Sequence, residues 1–293
     1  MVHISSGSLE VAIEEHGAQL RSLLDRRTGI ERLWGGDPAV WASSSPVVFP
    51  AIGKLNDLTL HVDGVPYHMK SNGLIRYMDP VEILMGEGWT EFRFASTDET
   101  MSSFPFPWRF VIRYEIVGAS LAVRARIENP GAGPLWYNYA GHPGFRVPAH
   151  SGETCDDYYI EFERPETVSV YDVCETGQLA GGLTPFFYGE RRFFIRKELF
   201  KTEALAFHAP ASRYVSLKSL ARGEELRVWI EGFDNVAVWT PYLVDEPLRF
   251  VCIETWIGHS DFKGYVGEFS ERDGIARIEA GCAVEHEYRV EVM

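Results

Sequence analysis

Apolar and polar side chains alternate with a period of two residues along several stretches of the chain. This period is typical of β-strands that bury one face and expose the other. The segments that show it are 112–116, 121–128, 226–231 and 284–292. Gly118-Ala119-Ser120 separates the first two segments and predicts a hairpin turn between them.

Helical patterns are scarce. The best one runs from Lys197 to Phe207 and would form about two turns. The segment from Arg21 to Trp34 favours a strand, a turn at Thr28-Gly29 and a second strand. Many short strands separated by turn signals predict an all-β sandwich or barrel. Since the Pro- and Gly-rich clusters are short enough to be loops, we expect residues 1–293 to form a single domain.

One predicted strand, 249–257, carries a carboxylate between apolar neighbours. Its two faces are both apolar, which is typical of a central, buried strand. Glu254 lies within it, and burial raises the pKa of a carboxyl towards neutrality, where it can act as a general base. The alternative is a structural glutamate that is satisfied by an arginine or by the backbone.

A histidine marks the end of another predicted strand. His142 follows Gly141 and precedes Pro143, whose backbone has no N–H to donate to a strand ladder. An imidazole at such a strand end can give or take a proton near neutral pH. The alternative is an ordinary loop histidine.

Composition narrows the function classes. The chain has 293 residues, 45% of them hydrophobic, and a formal net charge of -14. An acidic surface repels phosphate backbones and anionic membranes, so neither nucleic acid nor membrane is an expected partner. The four cysteines lack zinc spacing, and the chain has no leader-like N-terminus or long apolar run. We therefore expect free thiols and a cytoplasmic location.

Several short motifs together resemble one family. Gly141-His142-Pro143 and, about a hundred residues later, Cys252-Ile253-Glu254-Thr255-Trp256 are similar to the pattern of the aldose 1-epimerases, or galactose mutarotase-like proteins, and in particular to their LacX-like branch. The segments 46–55 and 72–76 resemble the family's substrate-loop segment and its HG-x-x-R motif. The resemblance extends over nearly the whole chain.

The resemblance implies a fold, a reaction and a set of site residues. The fold would be a large antiparallel β-supersandwich with a sugar in a cleft on one sheet. His142 would protonate the ring oxygen of a pyranose, and Glu254 would remove the proton of the C1 hydroxyl. Lys54, Asn72, Arg76 and Trp256 would contact the sugar. The reaction needs no metal or cofactor, and the only implied partner is a small sugar, bound by a monomer or homodimer.

Two positions depart from the family pattern. The chain has Asn72 where the family commonly has histidine, and Lys54 where it commonly has arginine. Asparagine carries no charge, and lysine lacks the bidentate arginine fork. Two alternatives therefore stay open: a sugar-binding protein without turnover, and a sugar-phosphate mutarotase that uses Lys54 and Arg76.

Three further expectations concern the site. Arg76 is either a sugar contact or a structural arginine that is paired with a carboxylate. Asp234 and Asp245 are candidates for a substrate-binding aspartate. We expect His142 and Glu254 to face one cleft, with room between them for a pyranose ring.

Overall fold

Strands dominate the computed structural model, which describes residues 1–293. The 23 strands are β1 (Val2–Ser5), β2 (Leu9–Ile13), β3 (Leu20–Asp25), β4 (Ile30–Glu31), β5 (Val47–Val48), β6 (Thr59–Val62), β7 (Val65–His68), β8 (Glu82–Gly86), β9 (Trp89–Ala95), β10 (Arg109–Val117), β11 (Ser120–Glu128), β12 (Leu135–Tyr137), β13 (Tyr139–Gly141), β14 (Gly144–Arg146), β15 (Tyr158–Val173), β16 (Leu179–Phe194), β17 (Leu205–His208), β18 (Tyr214–Ser219), β19 (Gly223–Trp229), β20 (Asn235–Trp239), β21 (Phe250–Ile257), β22 (Ala276–Ile278) and β23 (Ala283–Val292). The all-β class predicted from the alternating patterns is confirmed.

Helical structure is limited to single turns. The α-helix α1 spans Asp98–Met101, and the 3-10 turns are His16–Ala18, Asn56–Leu58, Ile75–Tyr77, Cys155–Asp157, Lys197–Phe200 and Phe269–Glu271. The helix predicted between Lys197 and Phe207 is wrong beyond its first turn, because Leu205–His208 forms strand β17. The apolar side chains of β17 pack into the sheet, and this tertiary contact outweighs a weak helical preference. None of the helices is long and apolar enough to cross a membrane.

One antiparallel sheet contains most of the strands. Its order is β5-β13-β21-β20-β17-β15-β18-β19-β23-β11-β10-β9-β8, with β14 added to β21 and β16 added to β15. Strands β1 to β4 form a second sheet, and β12 with β22 and β6 with β7 form two small ones. The four predicted segments are β10, β11, β19 and β23, and Val117 pairs with Ser120 across the predicted hairpin turn.

Strand β21 lies between β13 and β20, and every one of its residues is buried. Its two faces meet different surroundings. Val251, Ile253 and Ile257 belong to the main hydrophobic core, which also takes side chains from β1 and β23 at the two ends of the chain. Phe250, Cys252, Glu254 and Trp256 face the opposite side of the sheet, where the apolar clusters are small. The sheet therefore has a core face and a cleft face.

The N-terminal sheet supports two loops at the cleft. Gly17 has φ +69°, and a Cβ there would lie 2.9 Å from the backbone oxygen of Arg76, so a side chain at this position would displace that backbone. The N–H of Gly17 donates to the carbonyl of Met78 at 2.8 Å. Nearby, the side-chain oxygen of Gln19 accepts from the N–H of Ser44 at 2.8 Å. These bonds fix the segment that carries Arg76.

A second close backbone contact joins the segments 49–53 and 72–74. The N–H of Leu74 donates to Phe49 O at 2.6 Å, and the N–H of Asn72 donates to Gly53 O at 2.8 Å. Between them, Gly73 has φ +76°, and a Cβ there would lie 2.0 Å from Phe49 O. Only glycine fits, because the obstructing atom belongs to the backbone.

We predict that Gly73→Ala lowers the free energy of unfolding by ~3 kcal/mol or more, because it adds a backbone clash to the cost of a left-handed conformation. Gly64→Ala is the matched control: Gly64 has the same φ of +76°, but a Cβ there meets nothing within 4 Å. Its cost should be about 1–2 kcal/mol. Urea unfolding of both variants measures the difference in their free energies of unfolding. Equal losses in the two variants would show that the close contact with Phe49 O adds no cost.

Candidate active site

His142 and Glu254 are direct cross-strand neighbours. Gly141 pairs with Thr255 and Gly144 pairs with Cys252, so the intervening register places His142 opposite Glu254. Pro143 lies between the two paired segments, and its carbonyl accepts from the N–H of Ile253 at 3.2 Å. Both side chains point to the cleft face. The strand therefore pauses at His142, as its proline predicts, and resumes at Gly144.

The two side chains are in contact. Nε2 of His142 lies 3.3 Å from Oε1 of Glu254. The expectation that a pyranose ring fits between them is therefore wrong, because directly opposed residues on one sheet face stand too close. Both side chains are nonetheless among those that line one cavity of about 340 Å³.

Small side chains surround Glu254 on the cleft face of the sheet, and one of them, Ala140, lines the cavity. Ala237 of β20 pairs with Glu254, and Ala140 of β13 pairs with Trp256. Ala206 of β17 pairs with Ala237. All three alanines are buried and belong to the same small apolar cluster. A larger side chain at Ala140 would take space from the cavity, whereas Ala206 and Ala237 are covered by other side chains.

Aromatic rings hold the imidazole of His142. Trp41 stacks on it, with ring centroids 5.3 Å apart and an interplanar angle of 27°. Trp239 meets it edge to face, with a centroid distance of 5.8 Å. Nδ1 of His142 is buried and has no hydrogen-bond partner. Ring packing, and not a third polar residue, therefore orients this histidine.

The cleft opposes charge on both members of the pair. Burial raises the pKa of Glu254 to about 8, despite the hydrogen bond that it accepts from Trp256, and the nearby Glu203 carboxylate adds to the rise. Burial also lowers the pKa of His142 to about 3, and the positive charge of Arg76 acts in the same direction. At neutral pH the contacting pair thus holds one proton, and it lies on the carboxyl group of Glu254.

Lys54 and Arg76, both predicted as substrate contacts, line the same cavity. Lys54 is exposed at the edge of the cavity and makes no side-chain hydrogen bond. Arg76 donates to Oγ of Ser43 at 3.1 Å and lies over the ring of Tyr77. No carboxylate approaches either cation within 4 Å, so Arg76 is not the carboxylate-paired structural arginine that the sequence left open.

Asn72 also lines the cavity, but its side chain has a structural task. Its Oδ1 accepts from the N–H of Gly53 at 2.7 Å. Its backbone φ is +62°, a left-handed conformation that asparagine adopts more readily than most residues. Only the Nδ2 donors of Asn72 have no partner in the protein, so they are what this side chain can offer a ligand.

Trp256, the sixth predicted site residue, also lines the cavity and donates from Nε1 to Oε2 of Glu254 at 3.0 Å.

Glu203 also lines the cavity, although the sequence analysis did not predict it as a site residue. Its Oε2 accepts from Nε1 of Trp239 at 2.9 Å. Glu203 has φ +120°, a strained conformation for a non-glycine residue that is common at functional sites.

The two aspartates proposed for substrate binding lie elsewhere. Asp234 accepts from the N–H of Gly258 at 2.8 Å and is a structural residue. Asp245 lies in the loop after β20, and neither aspartate lines the cavity. Glu203 was not predicted as a site residue because it falls within the helix predicted from Lys197 to Phe207. In the structure it lies just before strand β17. An acidic residue directly before an apolar strand was the available signal.

His142, Cys252 and Glu254 bring a nitrogen, a sulfur and an oxygen atom within 4.8 Å of one another. This donor set is chemically able to hold a transition-metal ion. Burial, however, raises the pKa of the Cys252 thiol well above its ordinary value, and Glu254 is also protonated at neutral pH. Since a metal binds the deprotonated ligands, these shifts oppose metal binding.

The chain belongs to the aldose 1-epimerase family, whose model matches residues 1–266. It is similar to the chromosomal protein LacX of Lactococcus lactis, with 27% identity over 267 residues and coverage of 88% of both chains. Among solved structures it resembles a galactose mutarotase related enzyme from Lactobacillus acidophilus, with 24% identity, a TM-score of 0.91, and coverage of 100% of this chain and 97% of that one.

A second structural relative is a galactose mutarotase-like protein from Lactobacillus casei, with 22% identity, a TM-score of 0.93 and full coverage of both chains. A galactose 1-epimerase from Lactobacillus acidophilus is more distant, with 11% identity, a TM-score of 0.71, and coverage of 99% of this chain and 93% of that one. These structural likenesses show that the chain has the galactose mutarotase-like fold.

We predict that Glu254→Gln stabilises the protein at high pH. Because its folded-state pKa is raised, Glu254 contributes stability below its unfolded pKa of about 4.5, and this contribution is lost as pH rises through about 8. Glutamine does not titrate. The variant should therefore gain ~2–4 kcal/mol relative to the wild type between pH 5 and pH 9, measured by urea unfolding.

Glu163→Gln is the control. Its ion pair with Arg213 lowers the pKa of Glu163 to about 2, so its contribution is lost only as pH falls below about 4.5 towards 2. Its stability difference from the wild type should stay constant from pH 5 to pH 9. A constant difference for Glu254→Gln over the same range would show that its carboxyl group ionises normally.

Proposed function

We propose that this protein is a mutarotase that interconverts the α and β anomers of a free aldose, with His142 and Glu254 as its acid–base pair. The observation that carries the proposal is the contact between these two side chains on the floor of one cleft. Ring opening takes one proton from the C1 hydroxyl and delivers one to the ring oxygen. The chemistry thus needs one acid and one base close together.

The contact distance suits this reaction. The C1 hydroxyl oxygen and the ring oxygen of a pyranose are both bonded to C1, so the acid and the base must act on neighbouring atoms. A ring above the pair can place one oxygen near Nε2 of His142 and the other near the carboxylate of Glu254, which are 3.3 Å apart. The C1–O5 bond then breaks, the aldehyde rotates about C1–C2, and closure reverses both proton transfers.

The pair holds the one proton that the reaction needs, although at rest this proton lies on Glu254 and not on His142, the proposed acid. In the free cleft the single proton lies on Glu254, and His142 is neutral. Its transfer across the contact to Nε2 gives an imidazolium acid and a carboxylate base without exchange with solvent. Positioned acid–base catalysis of this kind contributes about 10²–10⁴-fold in rate. Glu203, Lys54, Asn72 and Arg76 supply donors and acceptors for the remaining hydroxyls, and Trp256 supplies an aromatic wall.

A sugar phosphate is the second candidate substrate, because Lys54 and Arg76 have no carboxylate within 4 Å. Unpaired cations at a cleft can bind a phosphate through charge-assisted hydrogen bonds. Glu203 and the net charge of -14 act against an anion. Comparing each aldose with its 6-phosphate in the exchange assay separates the two substrates.

We expect wild-type protein to accelerate anomer exchange of at least one sugar in a panel of aldoses and their 6-phosphates, measured by polarimetry or saturation-transfer NMR. Glu254→Gln and His142→Ala should each reduce kcat by about 100-fold or more, because each removes one proton-transfer partner. Glu254→Gln should keep its affinity, since glutamine preserves the shape and accepts a hydrogen bond from Trp256. Asp234→Asn, at a structural carboxylate outside the cavity, tests for general damage.

Sugar binding without catalysed exchange across the panel would favour a binding protein instead.

The pH dependence of kcat/KM follows from the same pair. The form with one proton is the dominant one between about pH 3 and about pH 8. Above about pH 8 the pair loses that proton and has no acid, so kcat/KM should fall about tenfold per pH unit there and stay level from pH 5 to pH 7. A rate that rises through pH 8, after subtraction of the uncatalysed exchange, would contradict this proton count.

A further inference from the structure

Three loops from distant parts of the chain meet at the cleft. We call them the rim loops, and they are the segments 53–58, 174–178 and 259–264. Each contributes to the lining of the cavity: Lys54 from the first, Thr176 and Gly177 from the second, and Ser260 from the third. All three lie outside the strands β1 to β23, so contacts other than the sheet ladders must fix them.

The side chain of Asn56 links the rim loops through one oxygen atom. Its Oδ1 accepts from Nε2 of Gln178 at 3.3 Å and from the N–H of Gly264 at 3.0 Å. The backbone N–H of Asn56 donates to Oδ2 of Asp261 at 3.0 Å. One residue of the first rim loop is thereby bonded to both of the others.

A buried ion pair holds Asp261. Its Oδ1 accepts from Nε of Arg272 at 2.9 Å, and the two side chains are 4% and 3% exposed. Nη1 of Arg272 donates to Oδ1 of Asn138, the residue between β12 and β13, at 2.9 Å. The N–H of Asn138 donates in turn to Pro50 O at 2.7 Å. A chain of polar contacts therefore connects the strands to the rim loops.

The first rim loop depends on such support. Asp57 and Leu58 have φ of +51° and +54°, both in the left-handed region, although neither is glycine. Residues in that region cost free energy, and they keep this conformation only when the surrounding structure imposes it. Since Asn56 directly precedes them, its bonds to the other two loops help to hold this backbone and, with it, Lys54.

The rim loops and the acid–base pair would act on different parts of a bound sugar. His142 and Glu254 exchange protons with the two oxygen atoms on C1, whereas Lys54 and Thr176 offer donors for other hydroxyls of the ring. A contact of the second kind is made equally in the bound sugar and in the transition state. Such a contact changes affinity and KM and leaves kcat unchanged.

We propose that Asn56 and Asp261 are positioning residues of the cleft. They hold Lys54 and the tip Thr176–Gly177 in place, and they thereby set the affinity for the sugar without setting the rate of proton transfer. The inference rests on the proposed function for the nature of the ligand.

Asn56→Ala tests the inference, because it removes both side-chain bonds and keeps the buried ion pair. We expect KM for the exchanged aldose to rise about tenfold while kcat stays within about twofold of the wild type. In the Glu254→Gln background, the Kd for the same sugar should rise by the same factor, measured by titration calorimetry.

Asn129→Ala is the matched control. Asn129 also joins separate segments, since it accepts from the N–H of Gly131 at 2.9 Å and donates to Ile278 O at 2.9 Å, but it does not line the cavity. Its KM should equal that of the wild type. The inference is overturned if Asn56→Ala leaves KM and Kd unchanged, if it lowers kcat by as much as it raises KM, or if Asn129→Ala raises KM equally.

Asp261→Asn removes the other bond donor to the rim and leaves the charge of Arg272 without its partner. Glu225→Gln does the same to Arg32 in an ion pair of similar burial outside the cavity, with side chains 4% and 5% exposed. Both variants should unfold at lower urea concentrations, but only Asp261→Asn should raise KM. An equal rise in KM for the two variants would show a general loss of structure and overturn the positioning role of Asp261.

Hydrogen–deuterium exchange of the sugar-free protein reads the same contacts directly. In Asn56→Ala, peptides that contain Gly264 or the segment 174–178 should exchange faster than in the wild type, because the bonds to Oδ1 are gone. Peptides from β10 and β11 should not change. Unaltered exchange in the rim loops would show that other contacts hold them and would overturn the inference.

Failure of this inference is distinguishable from failure of the proposed function. Catalysed exchange with an unchanged KM in Asn56→Ala leaves the mutarotase proposal standing and removes the positioning role. Sugar binding without catalysed exchange removes the mutarotase proposal, and the Kd of Asn56→Ala then decides the positioning role alone. A wild-type protein that binds no sugar in the panel overturns both.

Discussion

The register between β21 and the β13–β14 segment is the constraint on which the site depends. It places His142 directly opposite Glu254 and puts both on the cleft face, while the alternate residues of β21 enter the main core. A shift of one residue would send the carboxylate into that core and Ile253 into the cleft. The burial of Val251, Ile253 and Ile257 therefore stabilises not only the sheet but also the geometry of the pair.

Low polarity around the pair explains its unusual proton distribution. The apolar strand neighbours of Glu254 and the rings of Trp41 and Trp239 exclude water from both groups. Neither group gains enough from its neighbours to offset this desolvation, so the neutral state is favoured for each. Arg76 reinforces the effect on His142, and Glu203 reinforces it on Glu254. At neutral pH the pair thereby keeps one proton, on Glu254, whose Oε1 lies 3.3 Å from Nε2 of His142.

Local patterns were enough to predict several of the strands and to single out His142 and Glu254. Period-two alternation located β10, β11, β19 and β23, and the apolar flanks of Glu254 identified a buried strand. Contacts between distant segments could not be read in the same way. Glu203 takes its strained φ and its hydrogen bond to Trp239 only when β17 and β20 pair. The contact between His142 and Glu254 depends on the register of β21 with β13 and β14. The helix predicted over Lys197–Phe207 failed for the same reason, since sheet pairing decided its structure.

The small side chain of Ala140 has a consequence for how this cleft can change. Ala140 lines the cavity, whereas His142 and Glu254 are set opposite each other by the register of β13, β14 and β21. Enlarging Ala140 by a methyl group or two would subtract volume at one point of the cavity while His142 and Glu254 stay fixed by β-sheet pairing. The shape of the cavity and the geometry of the His142–Glu254 pair can therefore diverge separately, so under the proposed function a change in the accepted sugar would leave the acid–base geometry intact.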